Sequence, residues 1–143
     1  MRITREVDYA LRIVLMLSRE QKQIEAKVIA QSNGIPYRFT LKILRKIVQA
    51  GIIRSYRGVN VGYVLNCEPS QISMLDVIEC IDGAVSLTRC EDNECACKDC
   101  AACVINSSLH NVQDKLKQEL KNVTFDKMLR APLNKQVDNA GDH

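Results

Sequence analysis

The fold is decided by one continuous stretch, residues 30–65, with the sequence AQSNGIPYRFTLKILRKIVQAGIIRSYRGVNVGYVL. Asn33-Gly34 predicts the end of a helix, because glycine readily takes the left-handed conformation just past a helix C-terminus. Pro36 suits the first turn of a new helix, which we expect to run to about Ala50, before Gly51. Its predicted apolar face consists of Phe39, Leu44, Ile47 and Val48.

A β-hairpin is predicted directly after this helix. Residues 52–57 and 61–65 are rich in β-branched and aromatic side chains with partial alternation, and Gly58 and Asn60 lie at the turn between them. On the N-terminal side, residues 25–32 predict a short helix. Residues 2–20 predict a longer amphipathic helix, whose apolar stripe is Val7, Ala10, Leu11, Val14 and Leu17. This order of elements is that of a winged helix-turn-helix.

The C-terminal half adds further helices. Ser73 predicts the cap of a helix through about Ile81, which Gly83 ends. A long amphipathic helix is predicted over residues 106–122, and Thr124 predicts a last helical turn over residues 125–129. We expect the polar tail beyond Pro132 to be disordered. The predicted fold class is therefore mainly α with a small β-hairpin: a winged helix-turn-helix domain followed by a long C-terminal helix.

Charge divides the chain in two. Residues 1–63 contain 12 Lys and Arg against 4 Asp and Glu, whereas residues 64–143 contain 8 against 13. A basic first half indicates a surface for a polyanion. The predicted helix after Pro36 is the second helix of the motif and therefore its recognition helix. Arg45 and Lys46 add to the basic face of this helix. The predicted DNA-contacting residues are Arg2, Arg5, Tyr37, Arg38, Thr40, Lys42, Arg54, Arg57 and Asn60.

Several classes of protein are disfavoured. No apolar run reaches the roughly 20 residues that a membrane span needs, and the charged start does not resemble a signal peptide. We therefore expect a cytoplasmic protein that does not contact a membrane. Neither a nucleotide-binding fingerprint nor a catalytic triad motif is present, and only His110 and His143 could serve as histidine acids or bases. We expect no enzymatic activity.

Five of the seven cysteines cluster within residues 90–103, namely Cys90, Cys95, Cys97, Cys100 and Cys103. In a reducing compartment such clustering favours metal binding or redox chemistry over a disulfide framework. Thiolates are soft ligands that suit iron–sulfur clusters and zinc. Cys67 and Cys80 stand alone, and we expect them to pack in the core.

The chain resembles the IscR/NsrR family of winged-helix regulators over nearly its full length. The resemblance rests on segments before, within and after the hairpin: Met1-Arg2-Ile3-Thr4, Asp8-Tyr9-Ala10-Leu11-Arg12, Asn33-Gly34-Ile35-Pro36, Ala50-Gly51-Ile52-Ile53, Arg57-Gly58-Val59-Asn60-Val61-Gly62-Tyr63, Ile72-Ser73-Met74-Leu75-Asp76-Val77-Ile78 and Val123-Thr124-Phe125-Asp126-Lys127-Met128-Leu129. The hairpin tip departs from the family's glycine-rich pattern at residues 59–61. The resemblance implies a homodimer joined by the long helix and bound to palindromic double-stranded DNA.

The resemblance also implies an iron–sulfur cluster, of the 2Fe–2S or 4Fe–4S type, held by Cys90, Cys97 and Cys103. A histidine that serves as fourth ligand in some members is replaced by Asn106, with His110 a weak substitute. Asp8 of the partner subunit occupies the place of the aspartate ligand of other members, although an ion pair with Arg12 would explain it equally well. Cys95 and Cys100 are alternative ligands.

Together these features predict a transcription repressor whose operator binding is controlled by an iron–sulfur cluster that senses redox, nitric oxide or iron–sulfur status. Three alternatives remain open from the sequence. Four of the thiols could hold structural zinc, or they could act as a thiol switch whose reactivity follows their pKa. The chain could also be a small electron-transfer or cluster-carrier protein, although that class explains neither the hairpin nor the basic first half. The expected organisation is a DNA-binding domain over residues 1–83, a cysteine-rich loop over 84–104, a dimerisation helix and terminal turn over 105–130, and a tail over 131–143.

Overall fold

A computed structural model describes residues 2–59, 61–87 and 104–131. It confirms the predicted mainly helical fold with one two-stranded antiparallel hairpin. In chain order the elements are α1 (Arg5–Glu20), α2 (Ala26–Asn33), α3 (Tyr37–Gln49), β1 (Ile53–Tyr56), β2 (Gly62–Leu65), a 3-10 turn (Pro69–Gln71), α4 (Met74–Asp82), α5 (Val104–Asn122) and α6 (Phe125–Arg130). The predicted tail beyond Pro132 lies outside the described residues.

Helix α1 forms the centre of the core. Its N-cap is Thr4, whose hydroxyl oxygen accepts a hydrogen bond from the amide of Val7. Its apolar stripe is fully buried against α3, α4 and α6 and consists of Val7, Ala10, Ile13, Val14 and Leu17. The predicted stripe is confirmed except that Ile13 takes the buried position expected for Leu11, which is only half-buried.

The helix-turn-helix consists of α2, the turn at Gly34 and α3. Gly34 has φ of 64°, the left-handed conformation that glycine adopts without steric cost, and its amide donates to the last carbonyls of α2. Ile35 is buried directly after it. The predicted turn between the two helices is confirmed.

The buried face of α3 differs from the predicted one by a small rotation. The enclosed residues are Thr40, Ile43, Leu44 and Ile47, which follow the i, i+3, i+4, i+7 spacing. Phe39 and Val48, which the sequence placed on the apolar face, are half-buried at its edges. The prediction chose the most hydrophobic side chains, whereas the helical period selects the smaller Thr40.

The hairpin is held by a third segment that the sequence did not reveal. Ile24, which precedes α2, forms an antiparallel bridge with Tyr63 of β2 through two backbone hydrogen bonds of 3.1 and 2.9 Å. A Cβ added to Gly62 would lie 3.1 Å from the backbone nitrogen and oxygen of Ile24. Glycine at position 62 thus lets the hairpin approach the helix-turn-helix closely.

The C-terminal helix α6 packs on the same core as α1. Ser73 and Asp76 form a reciprocal capping box at the start of α4, which confirms the predicted cap. The amide of Met74 donates to the carbonyl of Val123, and the amide of Phe125 donates to the carbonyl of Ile72. Phe125 is completely buried. These contacts return the chain to the N-terminal domain after α5.

Helix α5, described throughout its 19 residues, is the most exposed of the described helices. One of its residues, Gln113, is fully buried, and Leu116 and Leu120 are partly buried against the core. Its N-terminal half exposes an apolar surface formed by Val104, Ile105, Leu109 and Val112. Among the described residues, no helix is both long enough and apolar enough to span a bilayer.

Candidate nucleic-acid interface

The N-terminal end of α3 presents side chains to solvent. Tyr37 is 44% exposed, and Arg38 next to it is also exposed. The turn at Gly34 places both at the start of the second motif helix, the end that enters the major groove in helix-turn-helix proteins. These two predicted contact residues therefore lie on a surface that duplex DNA can reach.

Thr40 corrects the predicted contact set. Its side chain is completely buried, and its hydroxyl donates to the carbonyl of Pro36 at 3.1 Å. A hydroxyl that is enclosed and bonded to the preceding turn cannot reach a base edge. The sequence treated Thr40 as a polar surface residue, but its position one turn before Ile43 and Leu44 places it in the core.

Lys42 and Lys46 both face a carboxylate from α1. Nζ of Lys46 lies 2.8 Å from Oε1 of Glu6, and Nζ of Lys42 lies 4.0 Å from the same oxygen. The ammonium of Lys42 also lies 5.6 Å from the centroid of the Phe39 ring, a cation–π distance. The basic face of α3 is thus partly neutralised from within the protein.

The two hairpin arginines serve different surfaces. Arg57 lines a groove of about 300 Å³ between α3 and the hairpin, together with Arg45, Gln49, Ser55 and Tyr63. Ser55 and Tyr63 are cross-strand partners, so the strand face they share is turned toward α3. Arg54 alternates to the other face, where its guanidinium lies 5.6 Å from the Tyr56 ring centroid.

The remaining predicted DNA contacts are Arg2, Arg5 and Asn60. Arg2 and Arg5 are exposed at the start of the chain and of α1. Asn60 lies outside the described residues. A guanidinium can bind phosphate in bidentate fashion, and Arg45 and Arg57 offer two of them across one groove.

The predicted cluster ligands Cys90, Cys97 and Cys103, with the alternates Cys95 and Cys100, lie outside the described residues. Asp8 is described: its Oδ2 lies 2.9 Å from Nε of Arg12, and its side chain is 47% exposed. The ion pair expected as the alternative to ligation is therefore present. Within residues 2–59, 61–87 and 104–131, no group of three or more His, Cys, Asp or Glu side chains is placed to hold a metal.

The cysteine-rich loop predicted over residues 84–104, called the cysteine segment below, has its two flanks joined by a hydrogen bond. Oε1 of the buried Gln113 accepts from the amide of Leu87 at 2.7 Å. Leu87 ends the described residues before the cysteines, and α5 begins after them at Val104. At the C-terminal end of α4, Asp82 accepts a hydrogen bond of 3.2 Å from the hydroxyl of Thr4, the N-cap of α1. The first turn of α1 and the exit of α4 are thus in contact.

Cys67 and Cys80 pack against the core, as the sequence predicts. The Cys80 thiol donates to the carbonyl of Lys46 at 3.4 Å. Burial raises the pKa of Cys80, and the positive charge of Lys46 opposes that rise. Cys80 therefore connects α4 to the recognition helix as a neutral thiol.

Sequence reasoning missed three positions that shape this surface, namely Glu6, Ile24 and Gln113. The partner of Glu6 is 40 residues away and that of Gln113 is 26 residues away. Local periodicity carries no information about pairs at such separations. One signal was available for Gln113, since it interrupts the apolar face of α5 between Leu109 and Leu116.

A helix-turn-helix followed by a hairpin, with arginines on α3 and in the groove beside it, defines a winged-helix DNA-binding protein. The Rrf2 profile, described as an iron-dependent transcriptional regulator, matches residues 3–131. The chain belongs to the Rrf2 family of transcription regulators. This membership confirms the predicted class of protein and the expectation that it is not an enzyme.

Curated relatives are similar along nearly the whole chain. The chain is 26% identical over 144 residues to the HTH-type transcriptional regulator IscR of Pectobacterium atrosepticum, covering 99% of this chain and 85% of that protein. It is 30% identical over 139 residues to a putative rrf2-like HTH-type transcriptional regulator of Rhodobacter capsulatus, covering 90% and 93%.

Solved structures share the fold. T. potens IscR superposes with a TM-score of 0.73 at 20% identity, covering 91% of this chain and 87% of that one. The oxidised form of Staphylococcus aureus CymR superposes with a TM-score of 0.72 at 23% identity, covering 94% and 100%. Both likenesses concern the fold alone.

Proposed function

We propose that this chain is a homodimeric cytoplasmic repressor whose binding to a palindromic operator is controlled by an iron–sulfur cluster in the cysteine segment. The observation that carries the proposal is the position of that segment in the chain. It connects α4, which packs on the recognition helix α3, to α5, which leaves the core. A change in the segment therefore acts on both elements to which it is joined.

The DNA-reading part of the proposal rests on α3 and the hairpin. Arg38 and Tyr37 enter the major groove, and Arg57 with Arg45 contacts the flanking phosphates. Arg54 on the other face of the hairpin, Arg2 and Arg5 near the start of α1, and Asn60, which the sequence predicts in the hairpin turn, add further contacts. Phosphate contacts set affinity and register, whereas contacts to base edges set sequence preference.

The dimer part rests on α5. Its exposed apolar surface, formed by Val104, Ile105, Leu109 and Val112, is the kind of patch that a soluble protein covers with a partner. A second copy of α5 covers it in an isologous, two-fold interface, which requires a palindromic operator. In this arrangement residues 1–83 read DNA, 84–104 hold the cluster, 105–130 form the dimer helix and the returning turn, and 131–143 form a tail.

The cluster part rests on donor chemistry. Thiolates of Cys90, Cys97 and Cys103 suit iron, and Asp8 of α1 is exposed enough to supply a fourth ligand to the partner's segment, with Cys95 or Cys100 as alternatives. Such a cluster supplies a centre that oxidants, nitric oxide or iron shortage can disassemble. Using Asp8 as a ligand requires its ion pair with Arg12 to open, at a cost of about 0.5 kcal/mol for an exposed pair of this spacing.

A thiol switch on the same fold is the second candidate. The fold likeness to CymR, solved in an oxidised form, favours it, as do five thiols within 14 residues. In that case Cys95 and Cys100 would serve as resolving thiols for oxidised neighbours.

Anaerobic purification followed by metal and sulfide analysis and a visible absorption spectrum separates these candidates. A cluster gives a brown protein with iron and acid-labile sulfide. A colourless protein with one zinc per chain, or with no metal and reversible disulfide formation, contradicts the cluster. The variants D8N, C95S and C100S then identify the fourth ligand by which of them loses the chromophore.

A further inference from the structure

Glu6 lies beneath the recognition helix. Its side chain is 19% exposed and its Oε1 contacts two ammonium groups, 2.8 Å from Lys46 and 4.0 Å from Lys42. The Lys46 side chain is 33% exposed, whereas the Lys42 side chain is 58% exposed. One enclosed carboxylate is therefore shared between a half-enclosed lysine and a lysine at the surface.

A carboxylate in this position resembles a phosphate oxygen in charge and in hydrogen-bond acceptance. Because it is partly enclosed, salt screens its attraction for the lysines less than it screens the attraction of DNA. Because its contact with Glu6 is short, the Lys46 ammonium stays paired with that carboxylate and is not available to a phosphate. Lys42 keeps its exposure, but any phosphate that attracts it must compete with the carboxylate 4.0 Å away.

We propose that Glu6 is a specificity-determining residue that acts through Lys42 and Lys46 by lowering the affinity of the recognition helix for DNA of arbitrary sequence. The inference rests on the DNA-binding part of the proposed function and is independent of the cysteine segment. Glu6 does not touch DNA; it is a positioning residue for the two lysines.

The effect differs between the two kinds of DNA. On an operator, base contacts seat α3 deeply and fix a phosphate close to Lys42, so that direct pairing overcomes the pull of Glu6. On arbitrary DNA the helix is held by longer-range attraction alone, and there the carboxylate cancels much of the lysine charge. Glu6 thereby raises the ratio of specific to non-specific affinity.

The test compares E6Q with E20Q in the full-length protein. Glu20 ends the same helix, and its side chain is 42% exposed and 3.9 Å from Lys22, so E20Q makes the same change in net charge away from α3. Fluorescence anisotropy measures binding to a duplex selected from random-sequence DNA and to an unselected duplex, over a series of KCl concentrations. Circular dichroism melting follows the fold of each variant.

For E6Q we expect several-fold tighter binding to the unselected duplex and a salt slope steeper by about 0.9, the increment for one added phosphate contact. We expect a smaller gain on the selected duplex, so that the affinity ratio falls. E20Q is expected to leave the slope and the ratio near those of the wild type. Equal slopes for E6Q and E20Q would overturn the proposal.

A second arm uses K46M, which leaves Glu6 with Lys42 as its remaining lysine contact. We expect K46M to bind the unselected duplex with a shallower slope than the wild type, and E6Q/K46M to restore the slope. If E6Q is poorly folded, K46M alone decides the proposal, and an unchanged slope in K46M rejects it. Absence of any DNA binding by the wild type contradicts the proposed function itself, an outcome distinct from binding that ignores Glu6.

Discussion

Gln113 accepts a hydrogen bond from the backbone amide of Leu87, with Oε1 2.7 Å from the nitrogen. Gln113 is 2% exposed on a helix whose other residues all reach solvent. Burying an amide side chain is unfavourable unless it is hydrogen-bonded, and a directional bond fixes its partner more closely than apolar packing does. The exit of α4 and the middle of α5 are therefore coupled at the base of the cysteine segment.

Replacing Gln113 with leucine removes this coupling while keeping the side chain's bulk. We expect the variant Q113L to lose roughly 1 kcal/mol of stability, as for one buried hydrogen bond, and hydrogen exchange at the Leu87 amide to accelerate about fivefold. If the segment controls DNA binding, the affinity difference between the metal-loaded and metal-free forms also shrinks. Exchange at Leu87 is measured by NMR or mass spectrometry.

The matched control for this prediction is Q118L. Gln118 is exposed on the same helix and its amide donates to Asn122 at 3.2 Å. The same substitution there should leave exchange at Leu87 unchanged. An unaltered Leu87 amide in Q113L would show that the hydrogen bond does not hold the segment's base.

Arg38 and Thr40 are two residues apart but have different environments, and we expect their variants to separate DNA binding from stability. R38A should weaken binding to a selected duplex by about 10- to 100-fold, since it removes a group placed to contact a base or phosphate. T40V should leave affinity unchanged and cost about 1 kcal/mol of unfolding free energy through its lost bond to Pro36. Anisotropy and urea unfolding measure the two effects. A T40V variant that binds DNA as weakly as R38A would contradict the buried placement.

The hairpin position is tested at Gly62. An alanine Cβ there would lie 3.1 Å from the backbone of Ile24, closer than ordinary van der Waals contact, so we expect G62A to shift the hairpin slightly and to cost up to about 3 kcal/mol. At Gly58, where φ is 98°, an added Cβ would meet no atom within 4 Å. G58A should therefore cost only about 1 kcal/mol, from its left-handed backbone. Urea unfolding ranks the two, and a larger loss in G58A would refute the close approach.

Stability at alkaline pH follows from Cys80. Burial raises its pKa above the ordinary value of 9.0, so the folded protein holds the thiol proton more tightly than the unfolded chain does. Its contribution is complete below pH 9.0 and is lost as the pH rises through the raised pKa. We expect wild type to lose stability relative to C80A as the pH rises above 9.0. The free energies of unfolding of the two proteins are measured across this rise in pH. If the stability of wild type relative to C80A stays constant or rises with pH, the buried thiol is contradicted.

The order of elements could be predicted because each boundary has a local cause. Three boundaries follow from the backbone preferences of single residues, namely Gly34, Pro36 and Gly83. The start of α4 follows from a capping box between Ser73 and Asp76, which are three residues apart. The amphipathic stripe of α1 was recovered for the same reason, since its period is visible within four turns. The chemistry of the cysteine segment stays a prediction from ligand type, which rests on five thiols within 14 residues.

The details of the surface could not be predicted, because they depend on contacts between distant residues. Thr40 was misplaced since hydrophobicity, rather than helical phase, selected the apolar face of α3. Arg54 and Arg57 are three residues apart, so strand alternation predicts opposite faces for them, but only the packing of the hairpin beside α3 shows that Arg57 shares a groove with Arg45. The neutralisation of Lys42 and Lys46 depends on α1 lying against α3, a tertiary fact with no local signal.

The central claim is that an iron–sulfur cluster in the cysteine segment controls DNA binding by this Rrf2-family chain. The most direct measurement is an anaerobic gel shift with a duplex selected from random-sequence DNA, comparing cluster-loaded protein with the same preparation after cluster removal, at one fixed salt concentration. The account predicts that the two forms differ in affinity by at least about tenfold, or 1.4 kcal/mol. Equal affinity of the two forms would contradict it.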